Sequence, residues 1–163
     1  MSKQTANGIS AIKPARVKAA AAPKKRSAKA RTAMPMDADT LTRQYQEWHQ
    51  SFKTPAKRCA YIRKICRRIA EEIKPEKIIL FGSHAYGRPT RESDLDLLVV
   101  MPYEGSPLAQ AVKIGRQLNL MIPMDLLVRT REQVATRLAM DDFFMREILE
   151  RGKVMYEAHG LPL

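Results

Sequence analysis

Hydrophobic positions become periodic only after about residue 40. From there Leu41, Tyr45, Trp48 and Phe52 recur at i, i+4, i+7 and i+11, the stripe of a helix whose aromatic face packs into a core. Thr54 followed by Pro55 is the pattern of a helix N-terminus, with the hydroxyl as cap and the proline at the first helical position. The helix it opens carries Cys59, Ile62, Ile65, Cys66, Ile69 and Ile73 on one face and ends before Pro75. The run Lys77 to Phe81, ended by Gly82, predicts a short buried strand, and Leu95 to Val100, ended by Pro102, a second. Leu108, Ala111, Val112, Gly115 and Leu118 have helical spacing, and Met124 to Arg129 predicts a third strand. Thr130 with Gln133 three residues on is a capping box for a helix bearing Val134 and Leu138. Asp141 and Asp142 cap another, with Phe144, Ile148 and Leu149, stopped by Gly152. Val154 to Tyr156 offers one more strand. Helices alternating with three or four short strands predict an α/β (α+β) fold with a small mixed sheet.

The chain has 163 residues, room for one compact domain. Its formal charge of +12 is unevenly spread. Residues 1–36 hold nine Lys and Arg and no acidic residue, whereas residues 37–163 are close to balanced. The first segment has no aromatic residue and contains Pro14, Pro23 and Pro35, so it is expected to be a disordered basic arm before a folded domain at 37–163. Three readings of the arm stay open: a dispensable extension with a start at Met34 or Met36, an electrostatic nucleic-acid arm, or a transit peptide. A second basic surface, Arg63, Lys64, Arg67 and Arg68, lies opposite the apolar face of its helix. The longest apolar run, Leu97 to Met101, is far below the roughly 20 residues of a membrane span, and no signal-like h-region follows the basic start. Cys59 and Cys66 lack metal-ligand spacing and read as reduced core residues, which with the rest suggests the cytoplasm.

The candidate chemistry is concentrated between Phe81 and Asp96. Asp94 and Asp96 are one residue apart at the start of a strand, so both carboxylates point to one face. Left unpaired they repel. A divalent cation removes that cost, and Mg²⁺ is the cation that takes one or two carboxylates and completes its shell with water and phosphate oxygens. Asp125 interrupts an otherwise apolar strand, and if that strand lies beside the first it completes a set able to hold two metal ions for phosphoryl or nucleotidyl transfer. Gly82 and Ser83 directly after a strand permit a tight turn that presents backbone N–H groups and a hydroxyl to an anion. Arg88 and Arg91 lie where they can neutralise a triphosphate. Neither a Walker A loop nor a dinucleotide fingerprint is present. His84, next to the turn, has two readings, a general base or a solvated loop histidine, of which the second is the expectation.

Gly82-Ser83, ten residues, then Asp94-Leu95-Asp96 resembles the G-S-x10-D-x-D signature of the nucleotidyltransferase superfamily related to DNA polymerase beta, in particular the minimal nucleotidyltransferases encoded beside HEPN-domain partners in prokaryotes. The resemblance spans about residues 76–130. It implies that Gly82 and Ser83 hold the triphosphate of ATP or another NTP, and that Asp94, Asp96 and Asp125 bind two Mg²⁺ ions. It further implies transfer of AMP to a hydroxyl, with Asp125 nearest the attacking group. The acceptor it suggests is a Tyr on a HEPN-domain toxin, making this chain the antitoxin. Tyr86 stands where many relatives carry Arg, so Arg88 or Arg91 is expected to supply that phosphate contact. Two other functions remain: modification of a small molecule or RNA, whose relatives usually carry an additional substrate domain, and a non-catalytic binding module with a nucleic-acid-binding arm.

Overall fold

The computed structural model describes residues 37–87 and 89–158. The basic segment 1–36 and Arg88 lie outside the described residues. Two helices open the fold. α1 (Ala38–Ser51) is capped by the Asp37 carboxylate, which accepts from the Thr40 N–H at 2.7 Å. α2 (Pro55–Ile73) is capped by Thr54 and closes on Lys74, which takes a left-handed φ of 54° before Pro75. The chain continues through β1 (Lys77–Leu80), a single helical turn α3 (Ser83–Tyr86), β2 (Leu95–Val100), α4 (Pro107–Leu118) and β3 (Met124–Arg129). The helices α5 (Arg131–Ala139) and α6 (Phe143–Arg151) and the strand β4 (Lys153–Glu157) complete it. Both predicted caps of the last helices are present: Thr130 and Gln133 form the capping box of α5, and Asp142 accepts from the Met145 N–H.

The four strands pair in the order β3-β2-β1-β4. β1 runs antiparallel to both neighbours, while β2 and β3 are parallel, joined through the α4 crossover. A parallel pair needs such a connection, which is why a 12-residue helix stands between two strands that are neighbours in space. Helices cover both faces. Trp48, Ile62, Ile65 and Ile69 from α1 and α2 and Ile114 and Leu118 from α4 pack on Ile78, Leu80, Leu95 and Leu97. On the other face Val134 of α5 and Met145 and Ile148 of α6 pack on Ile79, Phe81, Leu98 and Val100. Burial on both faces explains why β2 is apolar from Leu97 to Val100 without alternation, Asp96 being its one polar residue.

Several expected core positions lie at the surface. Tyr45 is 58% exposed and packs on His49 rather than the core, and Cys59 is exposed while Cys66 is buried. Leu108 and Val112 are exposed, whereas Leu118 is buried and Ala111 packs on the core as expected, joined by Ile114. Helical period identifies a face but not how far along the helix a neighbouring element reaches.

Candidate active site

The site is assembled where the carboxyl end of β1 meets the amino ends of β2 and β3. Leu95 N–H donates to the Pro123 carbonyl at 2.9 Å, which sets the β2–β3 register and brings Asp96 directly beside Asp125. With the side-chain period of two, Asp94, Asp96 and Asp125 share the face covered by α5 and α6. Phe81 N–H donates to the Asp96 carbonyl at 3.1 Å, tying the next turn to the same residue. That turn begins at Gly82, whose φ of 64° and ψ of −155° fall in a region open essentially to glycine alone. A side chain is excluded for a second reason, since a Cβ at Gly82 would overlap the Asp96 carboxylate. Glycine here serves close approach as well as turn geometry. The turn is then locked by Ala85 N–H to the Gly82 carbonyl (3.0 Å) and Gly87 N–H to the Ser83 carbonyl (3.0 Å).

Electrostatics agree with a shared carboxylate site. The Asp96 carboxyl is pushed above the usual carboxylate range, chiefly by burial, then by the charges of Asp125 and Asp94. Among the described residues no group of three His, Cys, Asp or Glu side chains is gathered around a metal-sized space. A Mg²⁺ ion that keeps waters and takes its remaining ligands from phosphate needs only one or two carboxylates, and mutually repelling acidic groups at a half-buried position fit that requirement. Arg91 is exposed in the loop before Asp94, where its charge acts on Glu92.

His84 differs from expectation. It is not a solvated loop residue but is 9% exposed, with its ring 5.7 Å from Trp48 and 5.8 Å from Phe52. The glycine turn continues into α3 rather than into a loop, and this rotates the side chain inward. Nε2 lies 3.4 Å from the Ser93 carbonyl, so the ring spans from the Gly82-Ser83 turn to the residue before Asp94. Its pKa is lowered by burial first, with Arg58 adding to the effect and the Ser93 carbonyl opposing it.

Two α6 residues reach the site's margin, Phe144, expected only as an apolar position of its helix, and Arg151, which sequence patterning did not single out. Phe144 meets Phe81 edge to face at 5.8 Å, and Arg151 lays its guanidinium over the Tyr86 ring at 4.3 Å. The same guanidinium pairs with Glu147 one turn earlier on α6, so the Tyr86 ring is covered by an ion-paired arginine. The only sequence signal for Arg151 was its place in the last turn of a helix.

A glycine turn seated against a strand carboxylate that is paired in register with a second is the arrangement that the comparisons with known proteins bear on. The chain belongs to the nucleotidyltransferase domain family, whose model matches residues 59–154. A Methanocaldococcus jannaschii protein named as a candidate protein adenylyltransferase, MJ0604, is 31% identical over 86 residues, covering 50% of this chain and 78% of that protein. Among solved structures, a candidate nucleotidyltransferase from Sulfolobus solfataricus is 14% identical, covers 80% of this chain and 97% of its own, and superposes with a TM-score of 0.44. A toxin–antitoxin complex crystallised with AMP-PNP is 23% identical, covers 59% of this chain and 73% of its own, and has a TM-score of 0.38. The protein is thus a nucleotidyltransferase with a mixed α/β fold, as its sequence signature implied. Among the described residues no helix is long and apolar enough to cross a membrane.

Proposed function

We propose that the protein transfers AMP from ATP to a hydroxyl of a protein acceptor, a tyrosine of a HEPN-domain partner, and so acts as an antitoxin. The single observation that carries the chemistry is the register pairing of Asp96 with Asp125 directly behind Gly82. The name of the Methanocaldococcus relative supports a protein acceptor and an adenylyl donor. The HEPN partner rests on the G-S-x10-D-x-D resemblance.

In this reading the Gly82-Ser83 turn, with its backbone N–H groups and the Ser83 hydroxyl, binds the triphosphate, and Arg91 and Arg88 add positive charge. Asp94, Asp96 and Asp125 would hold two Mg²⁺ ions, which when bound supply charge neutralisation at the phosphates and lower the pKa of the attacking hydroxyl. The acceptor oxygen forms a bond to the α-phosphorus as the bond to the bridging α–β oxygen breaks, and pyrophosphate leaves. Asp125, exposed at the rim, accepts the hydroxyl proton.

The test is transfer of α-labelled AMP from ATP, with Mg²⁺, to a HEPN-domain protein and to its Tyr→Phe variants. Label should reach tyrosine and disappear with the hydroxyl, and Asp96→Ala should lower the rate by about 100-fold or more, beyond the loss typical of an outer-shell partner. Label on RNA or on a small polyol in preference to protein would replace the acceptor assignment. Undiminished transfer by Asp96→Ala would remove the carboxylate mechanism.

A further inference from the structure

Among the described residues the buried polar side chains are Ser51 and His84. Ser51 is satisfied within its own helix, its hydroxyl donating to the Trp48 carbonyl at 2.6 Å. His84 has no such local partner. Its Nδ1 is buried without a hydrogen bond, and its one hydrogen-bonding contact among the described residues joins Nε2 to the Ser93 carbonyl at 3.4 Å, nine residues on in the chain. Burial favours the neutral ring, which carries a single N–H. That proton belongs on Nε2, because a carbonyl only accepts and Nδ1 has nothing to donate to. Trp48 of α1 and Phe52 just beyond it enclose the ring, so the contact with Ser93 is what orients it.

The Ser93 carbonyl belongs to the peptide that leads into Asp94. Asp94 is thereby bracketed: the peptide before it meets His84, and the residue after it, Leu95, donates its N–H to the Pro123 carbonyl at 2.9 Å. Asp94 itself is exposed, and among the described residues its carboxylate accepts no hydrogen bond. Its charge nonetheless reaches Asp96, adding to burial and to Asp125 in holding that carboxyl above its usual range. With no side-chain partner, the direction of Asp94 is set by its backbone. Residues 90–93 form a turn closed on itself, in which Thr90 N–H donates to Ser93 Oγ at 2.9 Å and Ser93 N–H to the Thr90 carbonyl at 3.3 Å. Among the described residues the hydrogen bond that ties this turn to another element is that of His84. At its other end His84 follows Ser83 on α3, which is locked to the glycine turn by the Ala85 and Gly87 N–H groups.

We propose that His84 is a positioning residue of the transfer reaction: its Nε2–H holds the peptide before Asp94 and so keeps that carboxylate where it can share a cation with Asp96. This rests on the reading that Asp94 and Asp96 hold Mg²⁺. The glycine turn and the carboxylates are then joined by two links, Phe81 N–H to the Asp96 carbonyl and His84 Nε2–H to the Ser93 carbonyl. The first sets Asp96 and the second sets Asp94. A group that orients a metal ligand without touching the nucleotide governs metal affinity and rate more than nucleotide affinity.

The test compares the full-length parent with His84→Phe, which keeps a ring in the pocket but has no N–H, and His84→Gln, whose amide offers an N–H near the place of Nε2. One readout is the Mg²⁺ concentration giving half of the melting shift seen with a non-hydrolysable ATP analogue, which needs no acceptor. The other is kcat and KM for ATP in AMP transfer to a HEPN-domain protein. His84→Phe should raise the Mg²⁺ requirement and lower kcat, each about tenfold, with KM for ATP at saturating Mg²⁺ changed by less than about twofold, the pattern of a lost outer-shell partner. His84→Gln should recover most of both losses. Ile69→Ala, destabilised away from the site, should keep the parent's Mg²⁺ requirement, which separates positioning from loss of stability. If His84→Phe does not fold, the ¹⁵N shifts of the parent's imidazole decide: a protonated Nε2 and bare Nδ1 are expected, and a protonated Nδ1 overturns the proposal. An unchanged Mg²⁺ requirement in His84→Phe overturns it, as do equal losses in His84→Phe and His84→Gln. Asp94→Asn tests the underlying reading. If it loses the Mg²⁺-dependent shift while His84→Phe keeps it, the metal site stands and the positioning role falls; if Asp94→Asn also keeps it, both fall.

Discussion

The two faces of the sheet carry different burdens. The face beneath α1, α2 and α4 is closed: Trp48, Ile62, Ile65, Ile69, Leu97 and Leu118 are all 3% exposed or less. The face beneath α5 and α6 is closed over Ile79, Leu98 and Val100 but uncovered at the amino ends of β2 and β3, where Asp94 and Asp125 are exposed and Asp96 half-buried. The closed face contributes apolar burial. The uncovered end retains like charges that work against folding, and the closed face makes that tolerable. A small domain can keep a mutually repelling acidic site because cohesion and chemistry are placed on opposite sides of one strand, β2.

The largest effect that tests this division lies on the closed face. Ile69→Ala deletes a side chain with no exposed surface and should destabilise by about 2–5 kcal/mol, measured by urea unfolding. Its nucleotide affinity at a temperature where the variant is folded should equal that of the parent.

Asp96→Asn acts in the opposite sense. In EDTA at neutral pH it should raise the melting temperature, because it removes a carboxylate that burial and the charges of Asp125 and Asp94 hold in an unfavourable ionised state. The same variant should lose nucleotidyl transfer. A melting temperature below the parent's would show that the charges are compensated within the fold.

A smaller effect concerns His84, where the two faces meet. Its lowered pKa means that the folded chain favours the neutral ring. Its contribution is complete above the ordinary histidine value of about 6.5 and is lost as pH falls from there through the depressed folded value. His84→Phe keeps an aromatic ring against Trp48 and Phe52, so its stability should decline less than the parent's between pH 7 and pH 5, read from thermal melts. Parallel pH curves would show that another group titrates there.

The smallest effect is expected outside the described residues. We propose that the basic segment 1–36 binds nucleic acid nonspecifically. Its deletion should flatten the salt dependence of filter binding, by about 0.9 in log-log slope for each duplex phosphate that the segment neutralises, and leave AMP transfer unchanged. The Arg63, Lys64, Arg67 and Arg68 face survives truncation and accounts for any slope that remains.

Local rules explain which elements were legible. Thr54-Pro55, Thr130 with Gln133, and Asp142 each announce a helix start through a short-range side-chain bond, and each is found. The β2 and β3 boundaries also agree, since each strand is a mostly apolar run, broken by a single aspartate at its second position. Tyr45, Cys59 and Leu108 were misplaced because burial depends on what stands opposite a helix face. His84 was misread because α3 follows from the conformation of one glycine, which periodicity does not register. Arg151 and Phe144 lie about 60 residues or more from the turn they touch, and nothing local links them to it.

The sequence by itself determined the chemical constituents: a glycine that tolerates the turn, two carboxylates locked to one face by the period of a strand, and a third set in an apolar run. Each of these follows from covalent geometry or from interactions within a few residues. Only the tertiary structure decided that Asp125 stands beside Asp96, that His84 is buried under α1, and that β3 is the outermost strand among the described residues. These follow from strand order and helix packing, where backbone groups and apolar surfaces far apart in the chain are satisfied against one another.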